Sequence, residues 1–329
     1  MSAIGILATG SYVPKQVVTG ADVAGPAGVT PEWIERKTQI VTRRYAAPDQ
    51  ATSDLAAEAA KQALDQAGLP PEALRYLIVS TSTPDSPQPP TSYLVQDAIG
   101  AHGAACFDIN VVCSGFVYGL ALARALVAQQ PDAYALVIAA DVYSRILDVT
   151  DRKTVVLLGD GAGAALVGAV PSGGFLDVEL ASHGDARGLI RVEAGGSRMP
   201  ATHETVDDGG HFFRMDGRGV RDFVMEHVPG ALRTLVERTG HRLADVDHVV
   251  PHQANGVLLS KLVTRAGLDH AHTHRTLERY GNTGSASVAL ALDDAHRNGH
   301  LADGDLVLIT AFGGGMSLGA ALLRWTTAR

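Results

Sequence analysis

The chain of 329 residues contains only two cysteines, Cys106 and Cys113. Two thiols rule out a disulfide scaffold and a four-cysteine zinc site. Extended chain between them makes them poor partners for each other. One is expected to be buried filler and the other reactive. Positive charge is also scarce: 27 Lys and Arg against 35 Asp and Glu give a formal net charge of −8. That balance excludes wholesale nucleic-acid binding, and an acidic partner would need a local basic patch. No uninterrupted apolar run reaches the roughly 20 residues that span a bilayer, so no membrane association is expected. Residues 1–10 lack the basic n-region of a secretory signal and read as a first strand, which makes a cytoplasmic protein the default.

Glycine is plentiful, at 36 residues, and 46% of the chain is hydrophobic against 19% charged. This suits a compact α/β enzyme with many tight turns, long enough for one large domain or two ordinary ones. Residues 77–80, 135–140 and 306–311 read as buried strands, and 162–170 as a fully covered one. Residues 53–66, 114–129, 219–238 and 257–266 read as helices. Helix, strand, motif and helix recur in both halves, with a Pro-Ser-Gly-Gly seam at 171–174. The expectation is two related α/β halves, 1–170 and 171–329, packed face to face.

Three motifs carry chemistry. An extended 107–110 followed by an Ala/Leu-rich helix puts Cys113 near a helix N-terminus, where free N–H groups and the macrodipole favour thiolate. A lone cysteine is more often filler, but the other motifs reverse those odds. His252, in Pro251-His252-Gln253-Ala254-Asn255, ends a strand and could donate to a thioester carbonyl or enolate oxygen. Asn282 lies in Gly281-Asn282-Thr283-Gly284. Asparagine in such a turn commonly just tolerates left-handed backbone; the functional reading is a second neutral donor to the same oxygen. Gly313-Gly314-Gly315 lets backbone approach a ligand, and one of its N–H groups could join that of Cys113 in an oxyanion hole. The stretch Gly159-Asp160-Gly161-Ala162-Gly163 lacks the Lys-Ser/Thr of a phosphate loop and precedes a strand, so it reads as close packing between layers. The alternating His270, His272 and His274 read as an exposed loop in preference to a metal site.

With Gly10-Ser11-Tyr12-Val13-Pro14, Glu32-Trp33-Ile34, Arg36-Lys37-Thr38, Asp151-Arg152 and Ala311-Phe312, these ordered motifs resemble β-ketoacyl-acyl carrier protein synthase III of the thiolase superfamily. The resemblance covers nearly the whole chain. It implies a five-layered αβαβα fold built from two thiolase halves, a homodimer, and no metal or other cofactor. It also implies a ping-pong condensation: Cys113 takes an acyl group from acyl-CoA, and a malonyl thioester, usually on acyl carrier protein but otherwise on CoA, loses carbon dioxide and attacks it. By the same resemblance, His252 and Asn282 hold the malonyl thioester carbonyl, and the amides of Cys113 and Gly314 form the oxyanion hole. Trp33 and Arg152 would sandwich the CoA adenine, and Asn255 would sit near the pantetheine arm. Arg214, Arg218, Arg221, Lys261 and Arg265 would offer a basic patch to the carrier protein.

The chain departs from the family pattern at Lys37, at Gln39 where glycine is common, and at Arg221 near the tunnel mouth. Gln88 falls where a loop would cross the dimer to cap the partner's acyl pocket. A competing expectation is an acyltransferase that moves the acyl group from Cys113 to a hydroxyl, amine or carrier thiol without condensation. A third is a silent partner subunit, against which the intact Cys113, His252 and Asn282 argue.

Overall fold

The structure, a computed structural model, describes residues 3–326. Ten strands build two sheets: β1 (Ala3–Tyr12), β2 (Leu74–Ser80), β3 (Ala105–Ile109), β4 (Tyr134–Val142), β5 (Asp160–Val170), β6 (Gly174–Ser182), β7 (His248–Pro251), β8 (His272–Thr273), β9 (Leu306–Gly313) and β10 (Ser317–Arg324). Six longer helices cover them: α1 (Thr52–Ala67), α2 (Thr91–Ile99), α3 (Gly115–Gln129), α4 (Gly217–Arg238), α5 (Gly256–Ala266) and α6 (Ala286–Arg297).

The two sheets share one topology. The first runs β1-β5-β4-β2-β3 and the second β6-β10-β9-β7-β8. Read in that order, each has two antiparallel pairings followed by two parallel ones. The first sheet draws every strand from residues 3–170 and the second from 174–324. The parallel pairs need helical crossovers, and the helices supply the layers. Buried side chains of α3 and α6 pack between the sheets. Helices α1 and α2 cover the outer face of the first sheet, and α4 and α5 that of the second. The layer order is therefore αβαβα.

The central layer explains an apolar stretch. Residues Val112–Gln129 are long and apolar enough, on composition alone, to cross a bilayer. Instead Phe116, Val117, Leu120, Ala123 and Val127 are fully buried between the sheets. A helix clad on both sides by sheets has no need of a polar face, and each large side chain so buried contributes roughly 1.5–3 kcal/mol. Close packing also explains the 159–163 stretch: a Cβ on Gly163 would lie 2.5 Å from the Ala289 Cβ. Helix α6 rests directly on β5 there, as expected.

Helix α1 starts one residue before the expected Ser53. Asp54 accepts the Ala51 N–H at 2.8 Å, and Gly68 closes the helix in left-handed conformation at φ 62°. Ser53 instead binds Asp85, through its N–H at 2.9 Å and its hydroxyl at 2.6 Å, tying down the loop that carries Gln88.

The duplication places the chemistry. Cys113 lies between β3 and α3; Asn282 lies between β8 and α6, the equivalent connection of the second half. His252 follows β7, and Gly313 ends β9. Cys113, His252 and Gly313 sit at carboxyl ends of strands, where open α/β sheets build their sites, and Asn282 is reached from β8 through the short helix Leu277–Tyr280.

Candidate active site

Cys113 lies on a 3-10 turn, Val112–Ser114, that runs into α3. The turn is strained: Val112 has φ 48°, a left-handed conformation that a β-branched residue rarely adopts. The strand β9 presses on it from the other sheet. A Cβ on Gly313 would lie 2.7 Å from the Cys113 backbone N and 2.9 Å from its Cβ. Gly314 packs one step away, its notional Cβ 3.2 Å from Val112 Cγ2. Ser317 Oγ donates to the Val111 carbonyl at 3.3 Å, which joins β10 to the same turn.

His252 is buried. Its N–H donates to the Thr310 carbonyl at 2.8 Å, and its ring meets Phe312 edge to face at 5.2 Å. Its Nδ1 lies 2.6 Å from Ser287 Oγ on α6. Gln253 locks the backbone behind it. The Gln253 amide donates to the Pro251 and His274 carbonyls at 2.7 and 3.2 Å and accepts the Thr276 N–H at 3.0 Å. Burial pushes the His252 imidazole down to about 3, so the ring is neutral at physiological pH.

Asn282 is held by its backbone. Its N–H donates to Leu157 O and its carbonyl accepts the Gly159 N–H, both at 2.9 Å. The left-handed positions of this turn belong to Gly281, φ 68°, and Gly284, φ 58°. Asn282 is therefore not there to tolerate that conformation. Its Oδ1 accepts the Gly284 N–H at 3.0 Å, and its Nδ2 has no partner among the described residues.

Two expectations about the thiols change. The buried cysteine is Cys113, while Cys106 is half-exposed on β3. The Cys113 thiol is also not tuned toward thiolate. Burial first, and then the nearby Asp141, push it up, and only a backbone hydrogen bond opposes them. Desolvation of a charge outweighs the half-charge of a helix end. No sequence motif marks Asp141. It is fully buried, and burial raises it. It accepts from Thr81, Ser82 and Thr83 of the first half and from the Ser285 N–H and hydroxyl of the second. So many donors make it a cross-brace between the halves and leave no lone pair for a substrate proton.

Cys113, His252, Asn282 and Gly313 line one cavity of about 1130 Å³ with Trp33, Arg152 and Asn255. Asn255 spends its side chain on structure. Its Oδ1 caps α5, accepting from Val257 and Leu258 N–H at 2.9 and 3.1 Å, and its Nδ2 donates to the Lys37 carbonyl. Gln88 lies outside this cavity, exposed on its loop. The anticipated basic patch is partly neutralised. Arg214 pairs with Asp148 at 2.9 Å and Asp151 at 3.8 Å, Arg221 pairs with Asp222 at 2.6 Å, and Arg265 donates to the Met225 carbonyl. Gln39 adopts φ 61°, which explains why glycine suits that position, and its side chain binds Arg275. Of the three histidines expected in an exposed loop, His270 and His272 are exposed and only His274 departs. His274 is buried, with its Nε2 3.0 Å from His248 Nδ1, and burial pushes it down to about 3. Among the described residues no cluster of metal-binding side chains occurs.

A duplicated αβαβα fold with a cysteine, a neutral histidine and an asparagine on one cavity defines a condensing enzyme of the thiolase type. Residues 107–184 match the model of 3-oxoacyl-acyl carrier protein synthase III, and residues 236–325 match its C-terminal model. The chain is 50% identical to the acetoacetyl-CoA synthase NphT7 of a Streptomyces species, over 97% of this chain and 98% of that one. It is 45% identical to the β-ketoacyl-acyl carrier protein synthase III of Caldanaerobacter subterraneus, over 98% of both. The crystal structure of 3-oxoacyl-acyl carrier protein synthase III from Aquifex aeolicus superposes with a TM-score of 0.90 at 34% identity, over 98% of this chain and all of that one. The chain belongs to the β-ketoacyl-acyl carrier protein synthase III family and is an acyltransferase of the condensing kind.

Proposed function

We propose that the enzyme joins an acyl-CoA to a malonyl thioester through an acyl group held on Cys113. Residues 1–170 supply the nucleophile and residues 171–329 the donors. The observation that carries this reading is the convergence of Cys113, His252 and Asn282 on one cavity; Gly313 lines it too, while the expected Gly314 is the next residue along and is not among the lining residues. Cys113 Sγ attacks the acyl-CoA carbonyl, and CoA leaves with the thiol proton. The malonyl C–CO2 bond then breaks, and its electron pair moves onto the thioester as an enolate. His252 and Asn282 hold that enolate oxygen with neutral donors. A neutral donor stabilises the developing charge without protonating the carbon that must attack. The carbon adds to the acyl-Cys113 carbonyl, whose oxyanion rests on the amides of Cys113 and Gly314. Collapse expels the Cys113 sulfur as a thiolate, which takes a proton from water, and frees the β-ketoacyl product. Trp33 and Arg152 flank the CoA adenine, with Asn255 beside the pantetheine.

The sequence favoured an acyl carrier protein as malonyl donor. The pairing of Arg214 and Arg221 with carboxylates weakens the patch on which such a protein would dock and so supports malonyl-CoA instead. An acidic carrier protein docks by charge; of the five proposed side chains Arg214 and Arg221 are paired with carboxylates, Arg265 meets only a neutral carbonyl, and those of Arg218 and Lys261 have no partner among the described residues. The resemblance to a protein named acetoacetyl-CoA synthase points the same way.

We also assign a homodimer built on β3. This strand ends its sheet, its other edge is unpaired among the described residues, and it carries the half-buried Cys106, Phe107 and Ile109. A bare apolar edge is a template for a second copy. The same pairing would bring Gln88 to the partner's acyl pocket, where a polar cap changes the starter preference away from simple acetyl. CoA-thioester substrates support a cytoplasmic location.

The test is a product assay by mass, with a panel of acyl-CoAs offered with malonyl-CoA or malonyl-acyl carrier protein. A β-ketoacyl product with release of carbon dioxide is expected, faster from malonyl-CoA, and absent in Cys113→Ala. Acyl-Cys113 without condensed product would establish the non-condensing acyltransferase instead. Gln88→Ala and Gln88→Phe should alter the acyl-CoA profile, and an unaltered profile would remove Gln88 from the pocket.

A further inference from the structure

The hydroxyl of Ser287 lies 2.6 Å from His252 Nδ1, inside the protein, in a hydrogen bond between α6 and the loop after β7. The direction of that bond decides what the imidazole can do. A neutral ring carries one proton, and whichever nitrogen lacks it is an acceptor only.

The surroundings of Ser287 settle the direction. Its Oγ already accepts the Gln253 N–H at 3.3 Å. Its own proton needs an acceptor, because an unpaired buried hydroxyl costs about 1–3 kcal/mol. Among the described residues the only acceptor in reach is His252 Nδ1. Serine on a helix often turns its proton back to the carbonyl four residues before it, but no such bond forms here. A ring held neutral by burial, accepting at Nδ1, carries its proton on Nε2, the nitrogen on the opposite edge. That nitrogen has no protein partner among the described residues, and His252 lines the cavity.

We propose that Ser287 is a positioning residue that fixes His252 as the Nε2–H tautomer and so dedicates it to hydrogen-bond donation. The inference rests on the reading of His252 as a donor to the malonyl thioester. It has a consequence for both half-reactions. Decarboxylation needs an N–H on the thioester oxygen, and the tautomer supplies one in advance. Acyl transfer to Cys113 needs no such donor, and an Nε2–H cannot accept the thiol proton. The two halves of the reaction should therefore respond differently to loss of Ser287.

The variant Ser287→Ala removes the Nδ1 partner, and Ser287→Thr restores it. In protein labelled with nitrogen-15 at histidine, two-dimensional NMR with His252→Gln as the assignment control reads the tautomer directly. The wild type is expected to show a protonated Nε2 and a pyridine-like Nδ1, and Ser287→Ala a mixture. Condensation by Ser287→Ala should fall on the order of 10- to 100-fold, taking the range seen when a metal-bound histidine loses its orienting partner. Formation of acyl-Cys113, followed by intact mass, should stay within about twofold of wild type. Ser287→Thr should recover condensation. A wild-type ring protonated on Nδ1 would overturn the inference, as would an equal loss of both half-reactions with an unchanged ring. A wild type with the Nε2–H tautomer that makes no β-ketoacyl product would instead overturn the condensation reading, so the two failures are separable.

Discussion

The contact between Gly313 and the nucleophile turn can be broken by one methyl group. In Gly313→Ala the new Cβ would sit 2.7 Å from the Cys113 N, 2.9 Å from its Cβ and 3.1 Å from its Cα, against about 3.4 Å for ordinary contact. All three atoms belong to the backbone or its first carbon, so no side chain can swing away. The turn must retreat by about 0.7 Å. It has little freedom to do so, because Val112 is already strained and Ser317 holds the Val111 carbonyl. Overpacking of this kind costs about 1–3 kcal/mol of stability. A misplacement approaching 1 Å at a reacting atom costs about 100-fold in rate. The assay is the rate of acyl-Cys113 formation, followed by intact mass after mixing with acyl-CoA, with thermal melting in parallel. Gly25→Ala is the control, since a Cβ there meets nothing within 4 Å. Acylation by Gly313→Ala should fall by roughly two orders of magnitude in protein that still melts cooperatively. A wild-type acylation rate in folded Gly313→Ala would refute the claim that β9 positions the nucleophile.

Other outcomes follow from the same geometry. Asn282→Ala should lose condensation by about 100- to 1000-fold, the range for one oxyanion donor, while acyl-Cys113 still accumulates; quenched-flow mass analysis separates the two. The Cys113 thiol titrates above its ordinary value of 9.0, so alkylation by iodoacetamide should keep rising with pH through 9. A plateau near neutrality would show a stabilised thiolate. His274 is held down near 3 by burial and by His272, His248 and His300, against 6.5 in the unfolded chain. Between those values the unfolded state binds the extra proton, so stability should fall as pH drops below about 6.5. His274→Gln should flatten the melting temperature between pH 7 and 5 by at least about 2 °C.

Much of this protein is local and therefore legible in the chain. The runs at 77–80, 135–140 and 306–311 can bury only as strands under a two-sided cover. Glycine at 68 ends α1 because left-handed closure suits no other residue as well. Cys113, His252 and Asn282 each sit on a turn marked by glycine or proline, so motif spacing alone singled them out. The repeated order of elements was visible too, because periodicity is a property of neighbours along the chain.

What stayed hidden depends on contacts between distant segments. The thiol at a helix N-terminus looks activated until the fold buries it beside Asp141, which lies on another strand. Asp141 and Ser287 sit in ordinary apolar or Ser/Ala-rich stretches, and nothing in spacing marks either one. His274 looked exposed in a polar stretch until β8 placed it against His248. Arg214 looked available to a partner until folding set it beside Asp148. Local sequence determined which groups the chain offers and the elements that carry them. Only tertiary structure decided their charge states and hydrogen-bond directions, because desolvation and pairing are set by atoms far away in sequence and close in space.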